Sequence, residues 1–280
     1  MTVTQQLIIE TLPILDLDHP GAHDSAYTQR REQIAFAAKE FHLSDPATRE
    51  IPLIDYTKEE HGVWRHICQT LKPLQEQFAC SWYQEGRQKI FIPTNRLPHI
   101  RDLSKQMEKL CGFKLEPVHG LVTAREFLSK LADDTMLCTQ YIRHPSKPEF
   151  TPEPDIVHEI IGHLPMLTNP ELRAFSHMIG TAARRATEEQ MVWLSRLYWY
   201  TIEFGLIEEN GKIKAFGAGL LGGIQDLTRA LSRQASIKPF EMEEVIGTDY
   251  NYSFEQPVFF VISSFEFLRK ETEQLLTSFG

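Results

Sequence analysis

Apolar residues recur at spacings of three and four among charged ones over residues 26–41, 57–80, 102–111 and 123–132, as in Trp64, Ile67 and Leu71. This period predicts four amphipathic helices. From Pro154 to His163 prolines and carboxylates lead in, as at helix N-termini, and a longer helical pattern runs from about Glu188 to Leu206. Asn210-Gly211, set between Leu206-Ile207 and Ile213-Lys214-Ala215-Phe216, predicts a hairpin closed by a type I′ turn. A last helix is predicted from about Phe265 to Ser278. Helix dominates, strands are few, and no βαβ alternation is visible, so the fold class is mainly α with a few short β-strands. Without an internal repeat, a low-complexity tract or a Gly/Ser linker, the pattern describes one compact domain.

Composition supports a folded chain. Of 280 residues, 42% are hydrophobic and 24% charged, and a chain of this size buries roughly 75% of its unfolded surface without disulfide or structural-metal staples. The 29 basic against 38 acidic residues give a formal charge of −9, which opposes phosphate backbones and anionic lipid, so neither nucleic acid nor a membrane is the expected partner. Cys68, Cys80, Cys111 and Cys138 form no CxxC pair, which argues against a zinc knuckle or redox dithiol and for reduced, buried thiols. The first six residues carry no basic region, and no apolar run approaches the roughly 18 residues of a spanning helix, so a cytoplasmic location is expected.

His158-Glu159-Ile160-Ile161-Gly162-His163 is close to the HExxH metalloprotease motif, but its histidines stand five apart instead of four. Five steps of about 100° place the two imidazoles roughly 140° apart on an α-helix, so convergence on one ion needs a π-bulge or a helix that ends near Gly162. On spacing alone, one exposed and one capping histidine account for the pair as well. Glu203 adds a third element, with Trp199 and Tyr200 one turn before it and Leu206 one turn after. A carboxylate on so apolar a face needs a cation or hydrogen bonds in place of water. A metal ion supplies that, and so does an Arg or Lys from elsewhere. Two imidazoles and one carboxylate on one side of an ion are the facial triad of non-haem Fe(II) oxygenases, and zinc accepts the same ligands. Gly217-Ala218-Gly219-Leu220-Leu221-Gly222 matches GxGxxG. The strand before it follows an Asn-Gly turn and carries Lys212 and Lys214, so a tight turn from hairpin into helix describes it better than a dinucleotide site.

These residues belong to a longer set of motifs. They include Asp18-His19-Pro20-Gly21, Cys138-Thr139-Gln140-Tyr141-Ile142-Arg143-His144, Ser146-Lys147-Pro148 and Thr151-Pro152-Glu153-Pro154-Asp155. The HE and GH pairs, Tyr198-Trp199 with Thr201, Glu203-Phe204-Gly205-Leu206 and Phe216-Gly217-Ala218-Gly219-Leu220-Leu221 complete them. Over roughly residues 14–278 the chain resembles the pterin-dependent aromatic amino acid hydroxylases, and within them the bacterial-type phenylalanine hydroxylases. The resemblance implies a mostly helical catalytic domain over residues 14–280 after a short extension at 1–13, with Fe(II) held by His158, His163 and Glu203. It implies tetrahydrobiopterin or a related tetrahydropterin as the two-electron donor, O2 as co-substrate and L-phenylalanine hydroxylated to L-tyrosine. Arg143 matches the residue that holds the amino acid carboxylate, for which a surface salt bridge is the plain alternative. Thr151, Pro154 and Trp199 match the amino acid pocket, against a helix cap, a first-turn proline and plain core. Gly120, Val122 and Phe127 match the pterin loop and its stacking ring, Glu159 the carboxylate that supports oxygen activation near the pterin, and Tyr198 a tyrosine of the same cleft.

Three departures from the family pattern stand out. Gly222-Gly223 replaces a Ser-Ser pair whose hydroxyl is expected to orient His158 and shape the substrate pocket. Asn251-Tyr252-Ser253-Phe254-Glu255 differs from the usual segment before Gln256-Pro257, and Leu137 replaces a polar residue near the pterin. These departures admit phenylalanine 3-hydroxylation or tryptophan hydroxylation as alternatives. A zinc hydrolase with Glu159 as general base is the alternative of another class. The resemblance extends to neither a regulatory domain nor a C-terminal tetramerisation helix, so a monomer is expected.

Overall fold

The structure is a computed structural model that describes residues 15, 19–232, 235–251 and 256–279. The expected extension at 1–13 and the flagged Tyr252 lie outside the described residues. Four long helices open the fold: α1 (Ser25–Leu43), α2 (Lys58–Phe78), α3 (Ser81–Lys89) and α4 (Ile100–Cys111). The period of apolar residues placed α1, α2 and α4 to within a few residues. It missed α3, a nine-residue helix that is mostly polar and buries only Tyr83 and Gly86. Helix α2 shows why its start was legible: Thr57 and Glu60 form a reciprocal capping box, and Val63, Trp64, Ile67, Cys68 and Leu71 fall on its buried face. Trp64, Ile67 and Leu71 are wholly enclosed, and the Trp64 indole donates to the Pro93 carbonyl at 2.8 Å.

After α4 the chain makes β1 (Lys114–Pro117), α5 (Ala124–Leu131) and β2 (Thr135–Cys138). β1 and β2 pair in parallel, Lys114 opposite Thr135 through Pro117 opposite Cys138. One small βαβ unit is therefore present, contrary to the expectation of none. Its four-residue strands are too short for a run of alternation to show in sequence. The second half contains α6 (Leu164–Leu167), α7 (Pro170–Ala183), α8 (Glu188–Tyr198) and the hairpin β3 (Leu206–Glu209) and β4 (Lys212–Ala215). Then come α9 (Ala218–Leu221), α10 (Ile224–Ala230), β5 (Ile237–Pro239), α11 (Met242–Gly247), β6 (Phe259–Ile262) and α12 (Phe265–Thr277). The larger sheet has the order β4-β3-β6-β5, antiparallel only within the hairpin. Asn210 and Gly211 both take positive φ, 52° and 71°, as a type I′ turn requires.

The four cysteines are unpaired, three of them buried and Cys111 half-buried. Burial pushes the Cys68 and Cys80 thiols up to about 12, which leaves them unreactive. No helix of the described residues is long and apolar enough to cross a membrane.

Candidate active site

The helix expected to end at His163 continues as α6 to Leu167, and between them residues His158–His163 form a π-helical segment, π1. A π-turn closes from residue i to i+5, so side chains five apart return to nearly one face. This resolves the spacing problem: His158 and His163 bring their Nε2 atoms to 3.0 Å, with rings at 81°. The pattern read as one helix to Leu206 is likewise α8 followed by a second π segment, π2 (Trp199–Glu203), and the helical geometry stops there. A Cβ on Gly205 would overlap the Phe216 ring and the Thr201 carbonyl, so the chain turns into β3 at this point. π2 delivers Glu203, whose two oxygens lie 3.2 Å from His158 Nε2 and 3.2 Å from His163 Nε2.

These three residues are the group of metal-ligating type found among the described residues, their ligand atoms within 4.8 Å of one another. Two imidazole nitrogens and a carboxylate converge from separate segments on a common point, so the donor set fits a divalent transition metal. The electrostatics agree. Burial opposes a charge on His158, but the Glu203 carboxylate outweighs it and pushes the imidazole up to about 9. His163 is held below the ordinary histidine value by burial. Burial works to raise Glu203, yet the two histidines hold its carboxyl well below the usual carboxylate range. Glu159, 4% exposed, is pushed up to about 7, chiefly by burial.

The glycines of the GxGxxG run pack α9 against both π segments. A Cβ on Gly217 would overlap the Glu203 carbonyl, one on Gly219 would meet the Phe204 ring, and one on Gly162 would lie 2.5 Å from the Ala218 carbonyl oxygen. β4 precedes the run as the antiparallel arm of a hairpin. The turn-into-helix reading therefore holds, with close approach to the ligand segments as the reason for glycine.

A cavity of about 340 Å³ opens over the triad, and the twelve residues given a role from the sequence line it together with Gly222. Phe127 sets its ring edge-on to Tyr198 at 5.7 Å, with Gly120 and Val122 on the loop before α5. Leu137 is buried and lines the same space. Trp199 stacks on Tyr250 at 4.3 Å and 13°, and its indole donates to Gln256 at 2.8 Å, so it is a wall of the cavity and not plain core. Thr151 is no helix cap, because its hydroxyl donates to the Glu153 carbonyl. Pro154 precedes the helix and presents its carbonyl to the Tyr141 hydroxyl at 2.9 Å.

Arg143 is not a surface salt bridge: it is 2% exposed and pairs with Asp155, which is wholly buried. Asp155 accepts from Arg143 Nε at 2.9 Å and Nη2 at 2.8 Å. This occupies the Nε–Nη2 edge of the guanidinium, and Nη2 also donates to the Gly222 carbonyl at 3.4 Å. Gly222 and Gly223 both have ordinary negative φ. A Cβ on Gly223 would lie 2.6 Å from the Gly219 carbonyl oxygen, whereas one on Gly222 would lie 3.1 Å from the His158 Cα. Asp155, Thr139, Tyr250 and Gln256 were not among the sequence candidates. Asp155 and Thr139 sit inside motifs already singled out, but nothing in the sequence showed which atoms they would touch.

The chain matches the family of biopterin-dependent aromatic amino acid hydroxylases over residues 1–279. It belongs to this family. It is 42% identical over 259 residues to the tyrosine 3-monooxygenase of Drosophila melanogaster, covering 91% of this chain and 44% of that one. It is 40% identical over 264 residues to the chloroplastic phenylalanine 4-monooxygenase of Pinus taeda, covering 94% and 72%. The chain thus spans about half the length of the tyrosine 3-monooxygenases it matches. Among solved structures, the phenylalanine hydroxylase of Chromobacterium violaceum with bound iron(III) and 7,8-dihydrobiopterin superposes with a TM-score of 0.79 at 28% identity, covering 90% of each chain.

Proposed function

We propose that this aromatic amino acid hydroxylase converts L-phenylalanine to L-tyrosine, using Fe(II), a tetrahydropterin and O2. The observation that carries the reading is the convergence of His158, His163 and Glu203 at one wall of a cavity that Arg143 also lines. The two imidazoles and the carboxylate would hold the ion. An iron ion and a reduced pterin together supply a redox centre with free coordination positions and a pair of electrons, which no side chain here provides.

The protein's own part is placement and exclusion of water. Arg143 takes the amino acid carboxylate with its guanidinium, whose plane Asp155 fixes. Pro154 and Trp199 supply apolar surface for the aromatic ring, and Trp199 is held in place by Tyr250 and Gln256. Phe127 and Tyr198 offer aromatic surface to a flat heterocycle beside Gly120 and Val122. Glu159, one residue from a ligand and buried in the same cavity, accepts a contact from the Thr139 hydroxyl at 3.4 Å, and burial favours its protonated form. That lets it hold a proton close to where oxygen is reduced.

Phenylalanine as substrate draws support from the Chromobacterium violaceum enzyme, whose chain and this one cover each other almost throughout. The curated relatives include tyrosine 3-monooxygenases, so the amino acid is the point to test. Iron-loaded protein is incubated in air with tetrahydrobiopterin and, separately, L-phenylalanine, L-tyrosine and L-tryptophan, and products are separated against standards. We expect para-tyrosine, with the highest kcat/KM for phenylalanine. Meta-tyrosine, or a higher kcat/KM for tyrosine or tryptophan, overturns the assignment of substrate and ring position.

A further inference from the structure

The loop that carries Gly120 and Val122 is tied at both ends to a polar cluster outside the cavity. Val118 donates its N–H to the Cys138 carbonyl at 3.0 Å, after which the chain leaves β2 and crosses to α5. Just before this point the Pro117 carbonyl meets the His42 ring at the C-terminal end of α1, with Nε2 2.7 Å away. Burial holds the His42 imidazole below the ordinary histidine value, so at neutral pH the ring is neutral and donates from Nε2. Glu116 stands one residue before Pro117. One of its oxygens accepts from Arg49 at 2.9 Å and the other from Lys130 at 2.7 Å, and Lys130 lies on α5 about one turn after Phe127. Burial works to raise the Glu116 carboxyl, but Lys130 and Arg49 hold it below its ordinary value. The Arg49 guanidinium in turn sits over the Phe41 ring at 4.4 Å. None of His42, Arg49, Glu116 and Lys130 lines the cavity.

We propose that His42 and Glu116 are positioning residues for the pterin, holding the loop over residues 118–122 and α5 in the arrangement that receives it. The inference rests on the proposed assignment of Gly120, Val122 and Phe127 to the pterin. Holding a glycine-containing loop in one shape costs conformational entropy. A ligand that must order such a loop binds more weakly, in proportion to the fraction of molecules in which the loop already stands in place. The Glu116–Lys130 pair spans the loop from root to root and sets the distance between β1 and α5. The His42 bond fixes the direction in which the chain leaves β1, because Pro117 has no N–H and offers only its carbonyl to an anchor. Glu116 and Arg49 keep 19% of their side-chain surface exposed and Lys130 keeps 31%, so solvent screens the pairs and the effect on affinity is a few-fold. The triad rides on π1 and π2, and Arg143 on the segment after β2. The effect is therefore confined to the pterin.

The full chain, loaded with iron(II) under nitrogen, is titrated with 7,8-dihydrobiopterin by calorimetry. Steady-state KM values are then measured in air for tetrahydrobiopterin and for L-phenylalanine separately. In His42→Leu and in Glu116→Gln, the Kd for dihydrobiopterin and the KM for tetrahydrobiopterin should rise about fivefold. Iron content should hold, and the KM for L-phenylalanine should stay within about twofold of the wild type. His42→Gln, whose amide nitrogen stands roughly where Nε2 does, should return the Kd to within about twofold of the wild-type value. Lys130→Met should raise it about threefold alone and add nothing to Glu116→Gln, as expected of two residues that act through one pair. Because Lys130 is partly exposed, its variant decides the matter if His42→Leu or Glu116→Gln does not fold. Wild-type pterin affinity in the variants overturns the inference. So does a parallel rise in both KM values, which marks general loosening of the fold. A wild type that binds no dihydrobiopterin overturns the assignment of the pterin residues, and this inference with it.

Discussion

At the scale of single residues, the site separates into groups whose loss has different signatures. His158→Ala or Glu203→Ala removes one of three ligands and leaves a buried partner uncompensated, so bound iron and turnover should both be lost while the fold persists. Metal analysis beside circular dichroism checks this, and full activity in either variant would remove the proposed centre. Arg143→Ala should act otherwise. It touches no ligand atom, so iron content should hold, while the amino acid concentration for half-saturation rises by about tenfold or more, the scale of a lost charge-assisted pair. An unaltered concentration dependence would reject its role. Much of this set was legible in the sequence, because its residue types are unusual for their surroundings: Glu203 stood on an apolar face and the histidines stood in an odd register. Asp155 was not legible as a hub. Its four donors come from Arg143 and His158, and only the folded chain brings those two segments together.

At the scale of elements, the departures from simple helix are where the function lies. Period alone placed α1, α2 and α4, since a repeating apolar face follows from burial along one helix. It ran past the end of α8, because Trp199, Tyr200 and Ile202 continue an apolar pattern through the π segment although the backbone has changed its turn. The spacing of the two histidines asked for a π-bulge or a helix end near Gly162 if they were to share an ion, and the structure has the π segment, while π2 carried no such marker. Both segments approach α9 so closely that glycine is needed at the contact. Gly162→Ala places a methyl 2.5 Å from the Ala218 carbonyl oxygen, and backbone must shift to admit it. Overpacking of this kind costs about 1–3 kcal/mol. We expect a lowered Tm together with weakened iron binding, because the displaced segment carries both histidines. Thr57→Ala is the contrasting change: it removes a cap from α2, far along the chain from the triad, and should cost about 1 kcal/mol with iron affinity intact. If both variants lost iron equally, the link between α9 packing and ligand geometry would fail.

At the scale of the whole molecule, the triad ties stability to pH in opposite ways with and without metal. In the metal-free protein His158 and Glu203 face each other at 3.2 Å. Glu203 pulls the His158 value from 6.5 up to about 9 against the opposing effect of burial. A group raised on folding contributes its stability below the unfolded value and loses it as pH climbs through the folded one. The contribution is therefore full below about 6.5, falls between 6.5 and 9, and amounts to about 3 kcal/mol at roughly 1.4 kcal/mol per unit. Glu203 is shifted the other way, so its share is present above the ordinary carboxylate value and is lost as pH falls below it. A divalent ion would replace the His158 proton as the partner of Glu203 and stabilise the fold by an amount that grows with the logarithm of its free concentration relative to Kd. The gain in Tm on metal loading should accordingly widen from pH 6.5 to pH 9, as the metal-free protein weakens and fewer protons compete for the imidazole. Calorimetric titration with metal at pH 7 in buffers of different ionisation enthalpy should show net proton release, and the release should fall to about half near pH 9 and fade above it. A Tm gain independent of pH, with no proton released at pH 7, would mean that the imidazole is already neutral and that the ion pair seen here does not form in the metal-free protein.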